Sequence, residues 1–164
     1  MKLITALAVS ISILAIGATY LSLGTSLGIQ VWALFIGWGS FYHTGGGNDG
    51  ITKSAINHIW GVVVAAIALL VVGTVGGSVL VTSVIVGASV FVLVIAAHAA
   101  ILSTIPAAVY GYASTAAFLL LTGVAIADVG ANLKAASIIA LSLIIGNAFG
   151  FVSEKVAGML AASE

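Results

Sequence analysis

Asn57 and His58 stand side by side inside an apolar run that opens near Ile51, with Trp60 close behind. An amide both donates and accepts hydrogen bonds, a neutral imidazole does the same, and an indole N–H donates. Lys53, Asn57 and Trp60 recur at i, i+4 and i+7, which sets them on one face of a helix. Ser54, His58 and Gly61 form the adjoining stripe. Lys53 lies within about one turn of the start of the run, where its ammonium can snorkel to the headgroups. Asn57 and His58 lie about 9–12 Å into the helix at 1.5 Å per residue. In the preceding run Trp38 and Tyr42 share a face. Tyr42 closes that run, as an interfacial aromatic anchor would, and Trp38 lies too deep for that role. Tyr110, Tyr112, Ser114 and Thr115 cluster after the single proline, Pro106, which either opens a helix or breaks a longer one. Asn147 is the one amide inside the last apolar run, where a helix–helix hydrogen bond is its ordinary use. Trp38, Tyr42, Asn57, His58, Trp60, Tyr110, Tyr112 and Asn147 are therefore the candidate lining for a small uncharged polar solute.

The most polar passage is His43-Thr44-Gly45-Gly46-Gly47-Asn48-Asp49-Gly50. It lacks the Gly-Lys-Ser/Thr ending of a phosphate-binding loop and reads as a loop, with a gate as the functional alternative. His43, Gly46, Gly47, Asn48, Asp49 and Lys53 are the candidate gating residues. Asn48 and Asp49 are also placed to cap the helix that follows. His43, His58 and His98 could meet at one end of the molecule, but no ligand spacing supports a zinc site, so no metal and no cofactor is expected. The acids Asp49, Asp128, Glu154 and Glu164 all fall at expected helix ends or loops. Without a buried acid there is no general acid–base set for an enzyme and no acidic ring for a cation pore.

The elements that carry these groups follow from composition. Of 164 residues, 62% are hydrophobic and 5% charged, against roughly 25% charged in an ordinary soluble domain. The natural solvent for such a chain is lipid. The formal charge is zero and all four basic residues are lysine, so nothing favours nucleic acid. There is no cysteine and hence no disulfide or thiolate chemistry. Six apolar stretches are expected: Leu3 to Leu23, Leu27 to Tyr42 (short), Ile51 to Val72, Ser78 to Ala97, Ile105 to Thr122, and Leu133 to Gly150 with an amphipathic tail. A chain in lipid must satisfy its own backbone, so each is a helix, including the valine-rich fourth. The first 24 residues have the outline of a signal peptide and read better as the first span. Lys2, Lys53 and Lys155 on one side against Lys134 on the other favour both termini in the cytoplasm.

The sequence also echoes itself. Gly37-Trp38-Gly39-Ser40 resembles Gly111-Tyr112-Ala113-Ser114, and Lys53-Ser54-Ala55 resembles Lys134-Ala135-Ala136. Three spans per half would insert the second half inverted, as in many transporters, with repeats at residues 1–75 and 76–160. Gly24/Gly28, Gly73/Gly77 and Gly146/Gly150 have the spacing that lets helices approach closely, within one subunit or between copies.

Trp32-Ala33, Phe35, Gly37, Gly46-Gly47, Lys53, Gly61, Pro106, Gly111, Gly146 and Gly150 together resemble the pattern of a family of small bacterial inner-membrane proteins catalogued as domain of unknown function 1097. The resemblance covers nearly the whole chain. It implies an inner-membrane helical bundle and brings no activity or catalytic residue. The expectation is thus an all-α membrane protein, a compact bundle of about six transmembrane helices in a single domain over residues 1–164. The leading function is a channel or facilitator for an uncharged solute such as urea, ammonia or a short amide, as a homo-oligomer in the bilayer. The alternative is a non-transporting subunit acting through helix–helix partners.

Overall fold

The computed structural model describes residues 1–161, and Glu164 lies outside them. Among the described residues there are six α-helices: α1 (Leu3–Leu23), α2 (Val31–His43), α3 (Gly47–Val75), α4 (Val79–Ile95), α5 (Ile105–Leu121) and α6 (Val129–Leu160). Two short 3-10 turns, Ala96–His98 and Ala100–Leu102, join α4 to α5. The segments α1, α3, Val79–His98 and α6 are long and apolar enough to cross a membrane. This is a multi-pass helical membrane protein. The 13 residues of α2 reach only about 20 Å, short of a hydrocarbon core about 30 Å thick. Helix α2 is shorter than its apolar run because the chain turns through Gly24 to Gln30, with Gly28 at φ +73. Irregular backbone at this depth survives only where its polar groups find partners. Here Thr25 Oγ1 donates to the Leu21 carbonyl, and the Gln30 N–H donates to Ser142 Oγ at 2.9 Å.

Two expected boundaries move. The glycine run is not a free loop through Gly50, because α3 already begins at Gly47. Gly45, Gly46 and Gly47 all have positive φ, a conformation glycine adopts without a Cβ penalty, and they turn the chain tightly enough for the helix to start there. Asn48 and Asp49 therefore lie inside the first turn and do not cap it. The cap comes from another helix: the Gly47 N–H donates to Glu154 Oε2 at 2.8 Å. At the far end, α6 does not stop at Gly150 but runs unbroken to Leu160. Pro106 opens α5 in its first turn, and the valine-rich fourth stretch is helical as expected.

Helix α3 packs chiefly on α5, and α2 on α6, with α3 and α6 in contact at the centre and α1 laid against α6. Four glycines make the two main crossings. A Cβ at Gly37 would strike the Leu143 carbonyl, and one at Gly146 the Leu34 carbonyl. One at Gly111 would strike the His58 carbonyl, and one at Gly61 the Ala108 carbonyl. Leu34 and Gly37 on α2 are spaced i, i+3, as are Ala108 and Gly111 on α5. His58 and Gly61 on α3 match Leu143 and Gly146 on α6 in the same way. Of the three expected small-residue pairs, only Gly146/Gly150 forms a helix–helix seam along its length, Gly150 meeting the Phe41 ring. Helix α1 presents Ala6, Ser10, Ala18 and Ser22 inward, while α4 fully buries only Leu93, lays a half-buried stripe through Ile85 and Ser89 on its neighbours and offers its other face to lipid.

Both described ends of the chain lie together, the Met1 ammonium donating to the Leu160 carbonyl. The same end gathers the start of α3 and the close of α6 through Gly47 and Glu154.

A candidate polar site at the centre of the bundle

The two stripes of α3 differ, though not along their whole length. Ser54, His58 and Gly61 are buried and face the other core helices, while Lys53 is exposed and pairs loosely with Asp49 at 3.9 Å. Asn57 belongs to the outer stripe by spacing, yet it is fully buried. Its Nδ2 donates to the Lys53 carbonyl at 2.9 Å and to the Ile101 carbonyl at 3.2 Å, which pins the 3-10 turn ahead of α5. Trp60 completes that stripe, donating from Nε1 to the Leu93 carbonyl of α4 at 3.2 Å. Since α3 starts at Gly47, Asn57 and His58 lie about 15–17 Å from its end, deeper than the sequence boundary implied and close to mid-helix.

At that depth His58 meets Asn147. The Asn147 Nδ2 lies 3.0 Å from His58 Nδ1 and donates also to the Leu143 carbonyl at 3.2 Å. An amide nitrogen has no acceptor capacity, so His58 Nδ1 must accept, and a neutral ring then carries its proton on Nε2. That Nε2–H has no partner, and neither does Asn57 Oδ1 or Asn147 Oδ1. Helix α3 and its bonded neighbour thus hold one orphan donor and two orphan acceptors, Asn57 on the side of the turn ahead of α5 and His58 on the side of α6. All three residues are at most 1% exposed. A shallower link sits on the same α3 stripe, where Ser54 Oγ donates to Ser40 Oγ at 2.9 Å.

The aromatic candidates are distributed otherwise. Trp38 is buried, stacks on Phe35, lies tilted against Phe149, and donates from Nε1 to Ser153 Oγ at 3.0 Å. Tyr42 reaches the same hydroxyl at 2.7 Å. Tyr110 bonds His43 Nδ1 at 2.9 Å, joining α5 to the end of α2. Tyr112 bonds Ser89 of α4 at 2.8 Å. The structure pairs His58 with Asn147, turns Asn57 toward the Ile101 carbonyl ahead of α5, and leaves Trp38 and Tyr42 at a second polar centre on α6. In the glycine passage, Gly46 and Gly47 turn against Glu154, while Asn48 and Asp49 are exposed on α3. Among the described residues no three His, Asp or Glu side chains come close enough to hold a metal.

Sequence reading missed Ser153, which accepts from Trp38 while its carbonyl accepts from Ser10 Oγ at 2.7 Å. It also missed the cap from Glu154. A signal existed: Asn132, Ala136, Ile139, Leu143, Gly146, Gly150, Ser153 and Ala157 run at i, i+3 or i+4 through all of α6, and each is buried. That stripe continues past Gly150 into what read as a tail.

Residues 8–158 match the family described as Protein of unknown function (DUF1097). The chain belongs to that family. The match spans α1 to the last turn of α6, so the buried polar centre and both glycine crossings of this DUF1097 protein lie inside it. No curated protein and no solved structure matches the chain.

Proposed function

We propose that the protein is a facilitator for a small uncharged polar solute, of the size and chemistry of urea or a short amide. The observation that carries this reading is the unmatched set His58 Nε2–H, Asn57 Oδ1 and Asn147 Oδ1 in the middle of a lipid-embedded bundle. An unpaired polar group in such surroundings costs several kcal/mol. A bundle built only to be stable would pair these atoms or replace them. A solute carrying both C=O and N–H complements them, the carbonyl accepting from His58 and the N–H groups donating to the asparagines. No acid lies beside them to select a cation.

The matched i, i+3 glycine spacings support two inverted halves, residues 1–75 and 76–160, in which α2 corresponds to α5 and α3 to α6. In that register Gly37-Trp38-Gly39-Ser40 falls on Gly111-Tyr112-Ala113-Ser114, while Lys53 falls on Ile138 and not on Lys134. The lysine distribution supports a bacterial inner-membrane orientation with both termini cytoplasmic.

A second reading is a non-transporting subunit that works through helix contacts. The two glycine crossings, which bring the helices close at the middle of the bundle, favour it. Swelling of proteoliposomes, followed by stopped-flow light scattering with urea, acetamide, glycerol and water, separates the two. Facilitation of one solute above empty vesicles, lost in folded His58→Leu and Asn147→Leu, is the expected result. Permeation equal to that of empty vesicles for every solute, with folded protein present, would sink the facilitator reading and leave the subunit.

A further inference from the structure

A groove of about 740 Å³ separates α2 from α5, lined by Trp32, Ile36, Gly39, Ser40, His43, Tyr110, Ala113, Ser114 and Ala117. Its volume is that of an ordinary small-molecule site. Its lining is mostly apolar and bears no carboxylate, lysine or arginine, and its one basic side chain, His43, is engaged through Nδ1 with the Tyr110 hydroxyl. Beside that pair, two serines, Ser40 and Ser114, lie in the otherwise apolar wall. Ser114 is 2% exposed and its Oγ has no partner. Serine and threonine within helices ordinarily bond the carbonyl a turn back, as Thr115, Ser137 and Ser142 do here, but Ser114 does not. Ser40 is 1% exposed and accepts from Ser54, which leaves its own proton free. The two serines hold equivalent places on α2 and α5 in the glycine register.

We infer that this groove is a binding site for a small uncharged molecule with an apolar body and one carbonyl-type acceptor, held by the hydroxyls of Ser114 and Ser40. A phospholipid does not fit the requirement. Ser114 lies about 14 Å along α5 from its start, inside the apolar span, whereas a lipid's ester carbonyls stay at the headgroup boundary. Only acyl chain would face the hydroxyl and leave it unpaired. The inference deepens the facilitator reading, since the groove floor reaches Ser40 and through it Ser54, one turn from His58. The binding itself does not depend on transport.

Trp32 lines the groove, and bromine quenches indole fluorescence, so 4-bromobenzamide is a suitable probe for protein in lipid nanodiscs, with bromobenzene as the acceptor-free control. Saturable quenching by the amide is expected, against only linear quenching by bromobenzene. Trp32→Phe should abolish the saturable part. Ser114→Ala should weaken binding roughly two- to tenfold, the worth of one hydrogen bond. Gly39 has nothing within 4 Å of where a Cβ would stand, so Gly39→Leu should fill the groove and remove binding while the fold is kept. Equal quenching by both bromo compounds, or an unchanged affinity in Ser114→Ala, would overturn the site. So would groove protection that disappears on dilution in detergent, which would make a second copy of the chain the occupant. Saturable binding without solute flux would leave the groove standing and remove the facilitator reading; flux without binding would do the reverse.

Discussion

Replacing Gly61 with alanine should pry α3 from α5. A Cβ there would fall on the Ala108 carbonyl oxygen and 2.6 Å from the Tyr112 nitrogen. Ordinary contact begins near 3.4 Å, and both obstacles are backbone, so no rotamer change relieves them. The helices must separate locally by about 1 Å, and gaps of about that size forfeit a quarter to a half of each van der Waals contact along the crossing. Overpacking of this kind costs about 1–3 kcal/mol. Alanine returns about 0.5–1 kcal/mol of helix propensity, leaving a net loss of up to about 2.5 kcal/mol. At about 2–4 °C per kcal/mol for a chain of this size, the Tm in detergent should fall by up to about 10 °C. Gly39→Ala is the internal control. It takes the same propensity gain with open space around it and should raise the Tm by about 1–4 °C. Thermal unfolding followed by circular dichroism measures both. If Gly61→Ala matched Gly39→Ala, the close α3–α5 approach would be refuted.

Three further outcomes follow from the polar contacts. His58→Leu and Asn147→Leu should each destabilise by about 1–3 kcal/mol by stranding the partner, and the double variant should cost less than the sum; strict additivity in the thermal cycle would mean the pair is not formed. Glu154→Ala should cost about 0.5–2 kcal/mol through the lost cap on α3, with Glu154→Gln much milder, and hydrogen exchange at Gly47 should rise in the former only. Lys53→Ala should change stability by less than about 0.5 kcal/mol, because its pair with Asp49 is long and exposed; a larger loss in chemical denaturation would show a role the geometry does not give it.

The helices were legible because lipid leaves so few alternatives. Once composition excludes water as the solvent, an apolar run long enough to cross can only be a helix, and the valines of α4 obey that rule against their usual preference. Helix ends were less legible, for a physical reason visible at both misplaced boundaries. The start of α3 is fixed by Glu154, which lies more than a hundred residues away, and no local pattern announces a cap delivered from another helix. The end of α6 was hidden because Glu154 and Lys155 look like a water-exposed tail. One of them is half-buried and bonded, and the other lies over the Phe151 ring at 5.2 Å.

The candidate site divides along the same line. Asn57, His58 and Asn147 stood out because amides and imidazoles in an apolar run are conspicuous by type alone. Serines are not conspicuous, since a serine in a membrane helix can satisfy itself on its own backbone. Ser114, Ser40 and Ser153 gain meaning only when the other helix is in place, one hydroxyl left unpaired, one joined to Ser54, one shared by Trp38 and Tyr42. The glycines bridge the two cases. Their i, i+3 spacings are written in the sequence, but the partner of each lies in the other half of the chain: Gly37 with Leu143, Gly111 with His58. Helices α2 and α3 therefore do not bury their glycine faces chiefly against one another; each buries its face on α6 or α5. The His58–Asn147 pair exists only because that exchange brings α3 and α6 together at mid-helix, so the polar centre is a property of both halves and could not be read from either.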